Sequence, residues 1–137
     1  MTIVKDIMNS QIFSIGQDKL VIDAVQELIS RNVGALAVTD SGGKLIGIFS
    51  ERDLLKRVVG KNQDPKKTSI KSVMSSPVMT IPDEASIGEA MVKMSDNHIR
   101  HLPVVNAKAA FVGMLGIREV ATSLAQIQID LLMEGKN

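Results

Sequence analysis

The sequence predicts a mixed α/β (α+β) fold made of two repeated β-α-β-β-α units, packed sheet to sheet about a pseudo-twofold axis. Three observations predict it. The first is an internal repeat: at a shift of 66 positions the 137-residue chain aligns with itself without a gap. Lys5-x-Ile7-Met8-x-Ser10 falls on Lys71-x-Val73-Met74-x-Ser76, Ser14-Ile15 on Thr80-Ile81, Ala24 on Ala90, Leu36-x-Val38 on Leu102-x-Val104, Gly47 on Gly113 and Arg52 on Arg118. Such self-similarity means two copies of one supersecondary unit. The second is the alternation of short apolar, strand-length runs with segments of helical period. The third is size. A unit of about 60 residues is marginal alone, because so small a body leaves too much of its surface exposed. Pairing the sheets solves this and opens a cleft on either side, where strand ends from both copies meet.

Composition bounds the function. Hydrophobic residues make up 45% of the chain and charged ones 23%, the proportions of an ordinary globular protein. No apolar run approaches the roughly 20 residues that span a bilayer, and Met1 to Asp6 lacks a secretory signal's apolar stretch. With no cysteine there are no disulfides and no thiolate chemistry, which fits a reducing compartment and a cytoplasmic location. A net charge of +1 and three Phe without Trp or Tyr leave little for a nucleic acid to grip. Neither nucleic acid nor membrane is expected as a partner.

In order, Lys5-Asp6-Ile7-Met8 reads as a helical turn and Ile12-Phe13-Ser14-Ile15 as a strand. Asp18 is placed to cap a helix from about Leu20 to Arg31, whose apolar face is Val21, Ala24, Val25, Leu28 and Ile29. Asn32-Val33-Gly34 ends it. Ala35 to Thr39 and Lys44 to Phe49 form a hairpin across the turn Asp40-Ser41-Gly42-Gly43. A helix follows from Ser50 to before Gly60. Lys61 to Ser69 is polar and reads as a linker, with Lys66 and Lys67 as solvated charges. In the second copy Ser86-x-x-Glu89 is a capping box, with Ile87, Ala90, Met91 and Met94 on the buried face. Leu102 to Val105 and Ala110 to Leu115 repeat the hairpin. The last helix runs from Glu119 to about Met133, striped by Val120, Leu124, Ile127 and Leu131.

One stretch combines structure with chemistry: Gly47-Ile48-Phe49-Ser50-Glu51-Arg52-Asp53. Ser50 and Asp53 have the N-cap and N3 spacing of a capping box with Asp in the Glu position. The same strand-to-helix turn offers free N–H groups to a phosphate, and a hydroxyl and a carboxylate to ribose. The two roles are not exclusive.

Together with Val4-Lys5-Asp6-Ile7-Met8 and His98-Ile99-Arg100-His101-Leu102-Pro103-Val104-Val105, this stretch resembles the tandem cystathionine-β-synthase (CBS) domain pair, or Bateman module. The resemblance covers about Val4 to Leu124. It implies a first CBS domain over 4–60, a linker over 61–69, a second domain over 70–124 and a C-terminal helical extension over 125–137. It also implies a regulatory ligand of the adenine-nucleotide type (AMP, ADP or ATP) and a homodimer. The family motif Gly-apolar-x-Ser/Thr-x-x-Asp matches Gly47, Ile48, Ser50, Glu51, Arg52 and Asp53. By the resemblance Asp53 holds the ribose and Ser50 sits near ribose or phosphate. Thr80, Ile81, Pro82, Arg100, His101, Leu102 and Pro103 lie opposite; Ile81, Leu102 and Pro103 sandwich adenine, and Arg100 and His101 meet phosphate. The second motif, Gly113 to Glu119, departs from the pattern with Gly116 for the hydroxyl residue and Glu119 for Asp. Its expected partners Ser14, Ile15, Gly34, Ala35 and Leu36 bring no cation, so one nucleotide per chain is expected.

The reading is therefore a non-enzymatic adenine-nucleotide sensor that passes occupancy to its dimer or to an unidentified regulated protein. A structural dimer module with a vestigial ligand cleft is the alternative. An enzyme such as a nucleotide hydrolase would need a nucleophile–base pair or clustered carboxylates, which the sequence does not offer. His98 and His101 are the only histidines. They leave a helix for a strand with no carboxylate at ligand spacing, so no metal site and no catalytic residue is expected.

Overall fold

The structure, a computed structural model, describes residues 1–135. Residues 136 and 137 of the expected C-terminal extension lie outside the described residues. The elements run α1 (Val4–Ile7), β1 (Ser14–Gly16), α2 (Val21–Arg31), β2 (Ala35–Thr39), β3 (Leu45–Ser50) and α3 (Glu51–Asp53). They continue with α4 (Ile70–Val73), β4 (Ile81–Pro82), α5 (Ile87–Asn97), β5 (His101–Val105), β6 (Phe111–Gly116) and α6 (Ile117–Glu134). This is the expected mixed α+β chain with its unit repeated, carrying two three-stranded sheets. The compact bodies do not follow the repeat, however. One is Phe13–Met79; the other joins Met1–Ile12 to the chain from Thr80 onward.

In the Phe13–Met79 unit the sheet order is β1-β2-β3, with β1 parallel to β2 and β2 antiparallel to β3. One face carries Ile15, Leu36, Val38 and Phe49, covered by Val21, Ala24 and Leu28 of α2 and by Val58, Ile70 and Val73. Alternation along β2 puts Ala35 and Ala37 on the opposite face, and they too are buried. The α2 stripe is narrower than expected: Ile29 is 74% exposed. Asp18 does not cap this helix. Leu20 occupies the N-cap position, and its N–H donates to Asp23 Oδ2 at 3.1 Å. Further orphan donors are met by the expected linker, where Thr68 and Pro65 carbonyls accept from Val21 N and Ile22 N, each at 2.9 Å. Residues 61–69 thus complete the start of α2, while Lys66 and Lys67 stay exposed. Asn32 closes α2 in the left-handed region (φ 52°).

The helix expected after Ser50 is not regular. Beyond α3 it widens into a π-helical turn (Leu54–Val58) and then a 3-10 turn (Val59–Lys61).

The unit made of Met1–Ile12 and the chain from Thr80 has sheet order β4-β5-β6 with the same pairing senses. Its core is Ile81, Leu102, Val104, Leu115 and Val120, with Ile87, Ala90 and Met94 of α5 and Val4 of α1. Ser86 caps α5, accepting from Glu89 N at 3.0 Å as predicted. Met91 is not on the buried face; it lies at the rim, 36% exposed. His98 is the left-handed C-cap of α5 (φ 53°), the counterpart of Asn32. Of the stripe on α6, Val120 is buried, whereas Leu124, Ile127 and Leu131 are 37%, 39% and 58% exposed.

In both units the opening segment of a repeat docks on a hairpin. Val4 N and Lys5 N donate to Ala85 O and Asp83 O, and Asn9 pairs with Met114 through two bonds of 2.9 Å. In the other unit Ile70 N and Lys71 N donate to Lys19 O and Gln17 O, and Ser75 pairs with Ile48 at 2.8 and 3.1 Å. Every one of these residues is 66 positions from its counterpart.

Candidate functional site

The first motif turns β3 into α3 inside the Phe13–Met79 unit. Gly47 answers a packing need. A Cβ there would lie 2.7 Å from Met74 Sδ and 2.9 Å from the Ser75 carbonyl oxygen, so only glycine lets the returning segment approach. Ile48 is the backbone partner of Ser75 across that approach. Glu51 and Arg52 are exposed on the first turn, and Glu51 N donates to Gly34 O at 3.0 Å.

Ser50 and Asp53 form the predicted capping box. Asp53 N donates to Ser50 Oγ at 3.4 Å, and Ser50 N donates back to Asp53 Oδ2 at 2.9 Å. Ser50 Oγ also donates to Oδ2 at 3.2 Å. The other carboxylate oxygen has partners that residue order did not announce. Ser75 Oγ donates to Oδ1 at 2.9 Å, and Arg57 Nε sits 3.6 Å from it. Arg57 Nη1 in turn donates to the Met74 carbonyl at 2.7 Å. Asp53 is only 5% exposed. The Asp53–Arg57 spacing of four was readable as a helical ion pair. Nothing in the sequence pointed to Ser75, which is 22 residues away.

The second motif, in the other unit, has the same backbone and different chemistry. A Cβ placed on Gly113 would lie 2.7 Å from Met8 Sδ and 2.8 Å from Asn9 O, the same crowding that Gly47 meets at Met74 and Ser75. Gly116 N donates to Glu119 Oε1 at 3.2 Å, so Glu119 keeps the capping role of Asp53. A Cβ at Gly116 would meet the Glu119 carboxylate oxygens at 3.2 and 3.3 Å. The missing side chain makes room for the longer acid.

The remaining candidates belong to this same unit. His101 pairs with Gly116 in the β5–β6 register, and Arg100 O accepts from Ile117 N at 2.8 Å, so both stand beside the second motif. Arg100 is exposed and His101 half-buried. The Thr80 carbonyl accepts from Lys93 Nζ, and Pro82 is exposed at the end of β4. Two expectations need correction. Ile81 (2% exposed) and Leu102 (0%) lie in the core of their unit, where they pack on helices and present no face to a base. Period-two alternation explains this: Pro103 points to the opposite, also buried face of β5. Among the described residues no three His, Cys, Asp or Glu side chains gather as a metal would need. No helix among them is long and apolar enough to cross a membrane.

Comparison with known proteins follows the same lines. The family model of the CBS domain matches residues 4–60 and again 70–126. The chain belongs to the CBS-domain family. A CBS domain-containing protein of Arabidopsis thaliana, CBSX3, described as mitochondrial, is 35% identical over 111 residues, which are 78% of this chain and 53% of that protein. The chain thus spans about half the length of that relative. A conserved CBS domain protein of unknown function from Thermoplasma acidophilum superposes with a TM-score of 0.87 at 26% identity, covering 99% of this chain and 77% of that one. The CBS domain pair of protein MJ0100, solved with 5′-methylthioadenosine and S-adenosyl-L-methionine, superposes with a TM-score of 0.81 at 27% identity. That match covers 90% of this chain and 99% of the other. CBS domains are generally regulatory and non-catalytic.

Proposed function

We propose that this CBS pair is a regulatory sensor that binds an adenosine-containing ligand, with AMP, ADP or ATP as the nucleotide class. The observation that carries the reading is the intact Gly47–Asp53 motif, whose turn holds a hydroxyl and a carboxylate together at a helix start. A carboxylate accepts from both hydroxyls of a ribose diol, which every adenosine compound offers. The MJ0100 pair, holding two adenosine compounds, supports the class of ligand. Arg100 and His101 carry donors for a phosphate and remain its candidates, with Thr80, Pro82 and Pro103 as the neighbouring ones. Ile81 and Leu102 drop out of the base-stacking role. A cytoplasmic location and a regulated protein partner belong to the same proposal.

A thermal-shift and calorimetric screen of AMP, ADP, ATP, S-adenosylmethionine and 5′-methylthioadenosine tests it. Ligand at about 100 times Kd adds roughly 2.7 kcal/mol to the native state, a shift of several degrees for a chain of this size. We expect a stoichiometry near one per chain, because Gly116 and Glu119 lack the first motif's hydroxyl and geometry. Failure of every compound at millimolar concentration would refute the sensor reading.

One observation favours a second reading. The Asp53 carboxylate already has partners on both oxygens, as a purely structural cap would. The protein would then be an interaction module whose ligand site is vestigial, dimerising through the exposed apolar stripe of α6. Light scattering at micromolar concentration tests the dimer, with about twice the 14.8 kDa chain mass expected.

A further inference from the structure

The Asp53 carboxylate can serve a ligand only by giving up something, and the geometry shows what. A carboxylate offers about four lone-pair positions. At Oδ2 both are taken by Ser50, through its N–H at 2.9 Å and its Oγ at 3.2 Å. The first of those bonds is half of the capping box, so vacating it would undo the cap of α3. At Oδ1 the partners are Ser75 Oγ at 2.9 Å and the Arg57 guanidinium at 3.6 Å. These are side chains that rotate without disturbing the cap, and Arg57 is an exposed one.

The same two side chains hold the backbone at Met74 and Ser75. Ser75 is tied through its own hydroxyl, and Met74 through its carbonyl, which accepts from Arg57 Nη1 at 2.7 Å. Beyond them residues 76–79 carry the chain out of this unit, whose last residue is Met79. Without the side-chain tethers, the segment is held there by the two backbone bonds between Ile48 and Ser75, by Met74 N donating to Ile70 O and by the packing of Met74 on the core.

We propose that Asp53, Ser75 and Arg57 form a latch through which occupancy at the first motif is converted into mobility of residues 74–79. The proposal rests on the nucleotide reading of that motif and names its regulation. A ribose diol arriving at Oδ1 displaces Ser75 and Arg57, and the segment leading out of the unit loses both tethers. Ligand and latch compete for one oxygen, so their coupling is reciprocal: bound ligand weakens the latch by the same factor by which the closed latch weakens the ligand. The second motif is built differently. Its counterpart of Arg57 is Ser123, which is not a cation, and its counterpart of Ser75 is Asn9, whose Oδ1 accepts from Gln11 N at 3.0 Å.

The test combines calorimetry with hydrogen–deuterium exchange on the full chain, using AMP, ATP and S-adenosylmethionine on wild type, Ser75→Ala and Arg57→Gln. Each variant leaves the Ser50–Asp53 cap and the Ile48–Ser75 backbone pair in place. We expect both variants to bind about tenfold more tightly than wild type. We also expect the peptide covering 74–79 to exchange faster in wild type when ligand is added, and already faster in ligand-free Ser75→Ala. Binding by the variants with none by wild type would support the latch as well. Wild-type binding with unchanged or slower exchange at 74–79 and no gain in the variants would overturn the latch and leave the nucleotide reading standing. No binding by any of the three proteins would overturn both.

Discussion

At the first motif the N-cap is Ser50 and the capping carboxylate is Asp53; at the second they are Gly116 and Glu119. Both acids accept from the backbone N–H three residues earlier, at 2.9 and 3.2 Å. Both motifs begin with a glycine pressed against a methionine sulfur and a backbone carbonyl. What differs is the far side of the carboxylate. Asp53 reaches out of its own turn to Ser75 and Arg57. Glu119 places its carboxylate inside the turn, in the space where Gly116 has no side chain. The comparison teaches that the glycine and the capping acid are requirements of the fold, common to both copies. The hydroxyl, the shorter acid and the Arg57 latch distinguish the copy in which we place the ligand.

The sharpest test of that division concerns residues assigned to core and to ligand. Leu36→Ala and Leu102→Ala should each cost about 2–5 kcal/mol in denaturant unfolding, since both are fully buried counterparts. If Leu102→Ala instead left stability intact and removed ligand binding, its place as a core residue would be wrong.

Next in size is the comparison of the two acids. Asp53→Asn keeps one oxygen but sets an amide against Ser75 or Arg57, and should cost about 1.5–3 kcal/mol, the scale of hydrogen bonds to a charged group. Glu119→Gln touches only its cap and should cost about 0.3–1 kcal/mol. Equal losses, measured by urea titration, would erase the asymmetry.

The glycines should behave alike. Gly47→Ala and Gly113→Ala each force a Cβ to within 3 Å of a backbone oxygen, and about 1–3 kcal/mol of overpacking is expected at both. A neutral Gly47→Ala with a costly Gly113→Ala would show that the two opening segments dock differently.

The smallest effect probes the coupling of Gly116 to Glu119. Gly116→Ser brings a Cβ to 3.2 Å from the carboxylate and should lower the melting temperature by a few degrees, about 1 kcal/mol for a domain of this size. Adding Glu119→Asp should restore most of it, with a non-additive term of at least about 0.5 kcal/mol. Strict additivity would mean that the two positions do not share space.

Much of this could be read from residues in order. The repeat, the strand runs, the Ser86 and Ser50 caps and the family motif are local or periodic features, and local features survive translation into structure. The sequence also shows Gly116 and Glu119 as departures. It does not show that they compensate each other, because that depends on where a side chain three residues away lies. Three things were decided only by tertiary structure. Which sheet face is core was misjudged at Ile81 and Leu102, since an apolar strand buried on both faces carries no alternation to say which side a helix covers. Which body each opening segment joins followed from backbone bonds such as Val4 to Ala85 and Ile70 to Lys19, and hydrogen bonds between main-chain atoms leave no mark on residue identity. Of the partners of Asp53, Arg57 lies at helical spacing, but Ser75 needed a return of the chain that brings it from 22 positions away. Sequence spacing records what a chain can form with its near neighbours; which distant hydroxyl reaches a carboxylate is settled by packing alone.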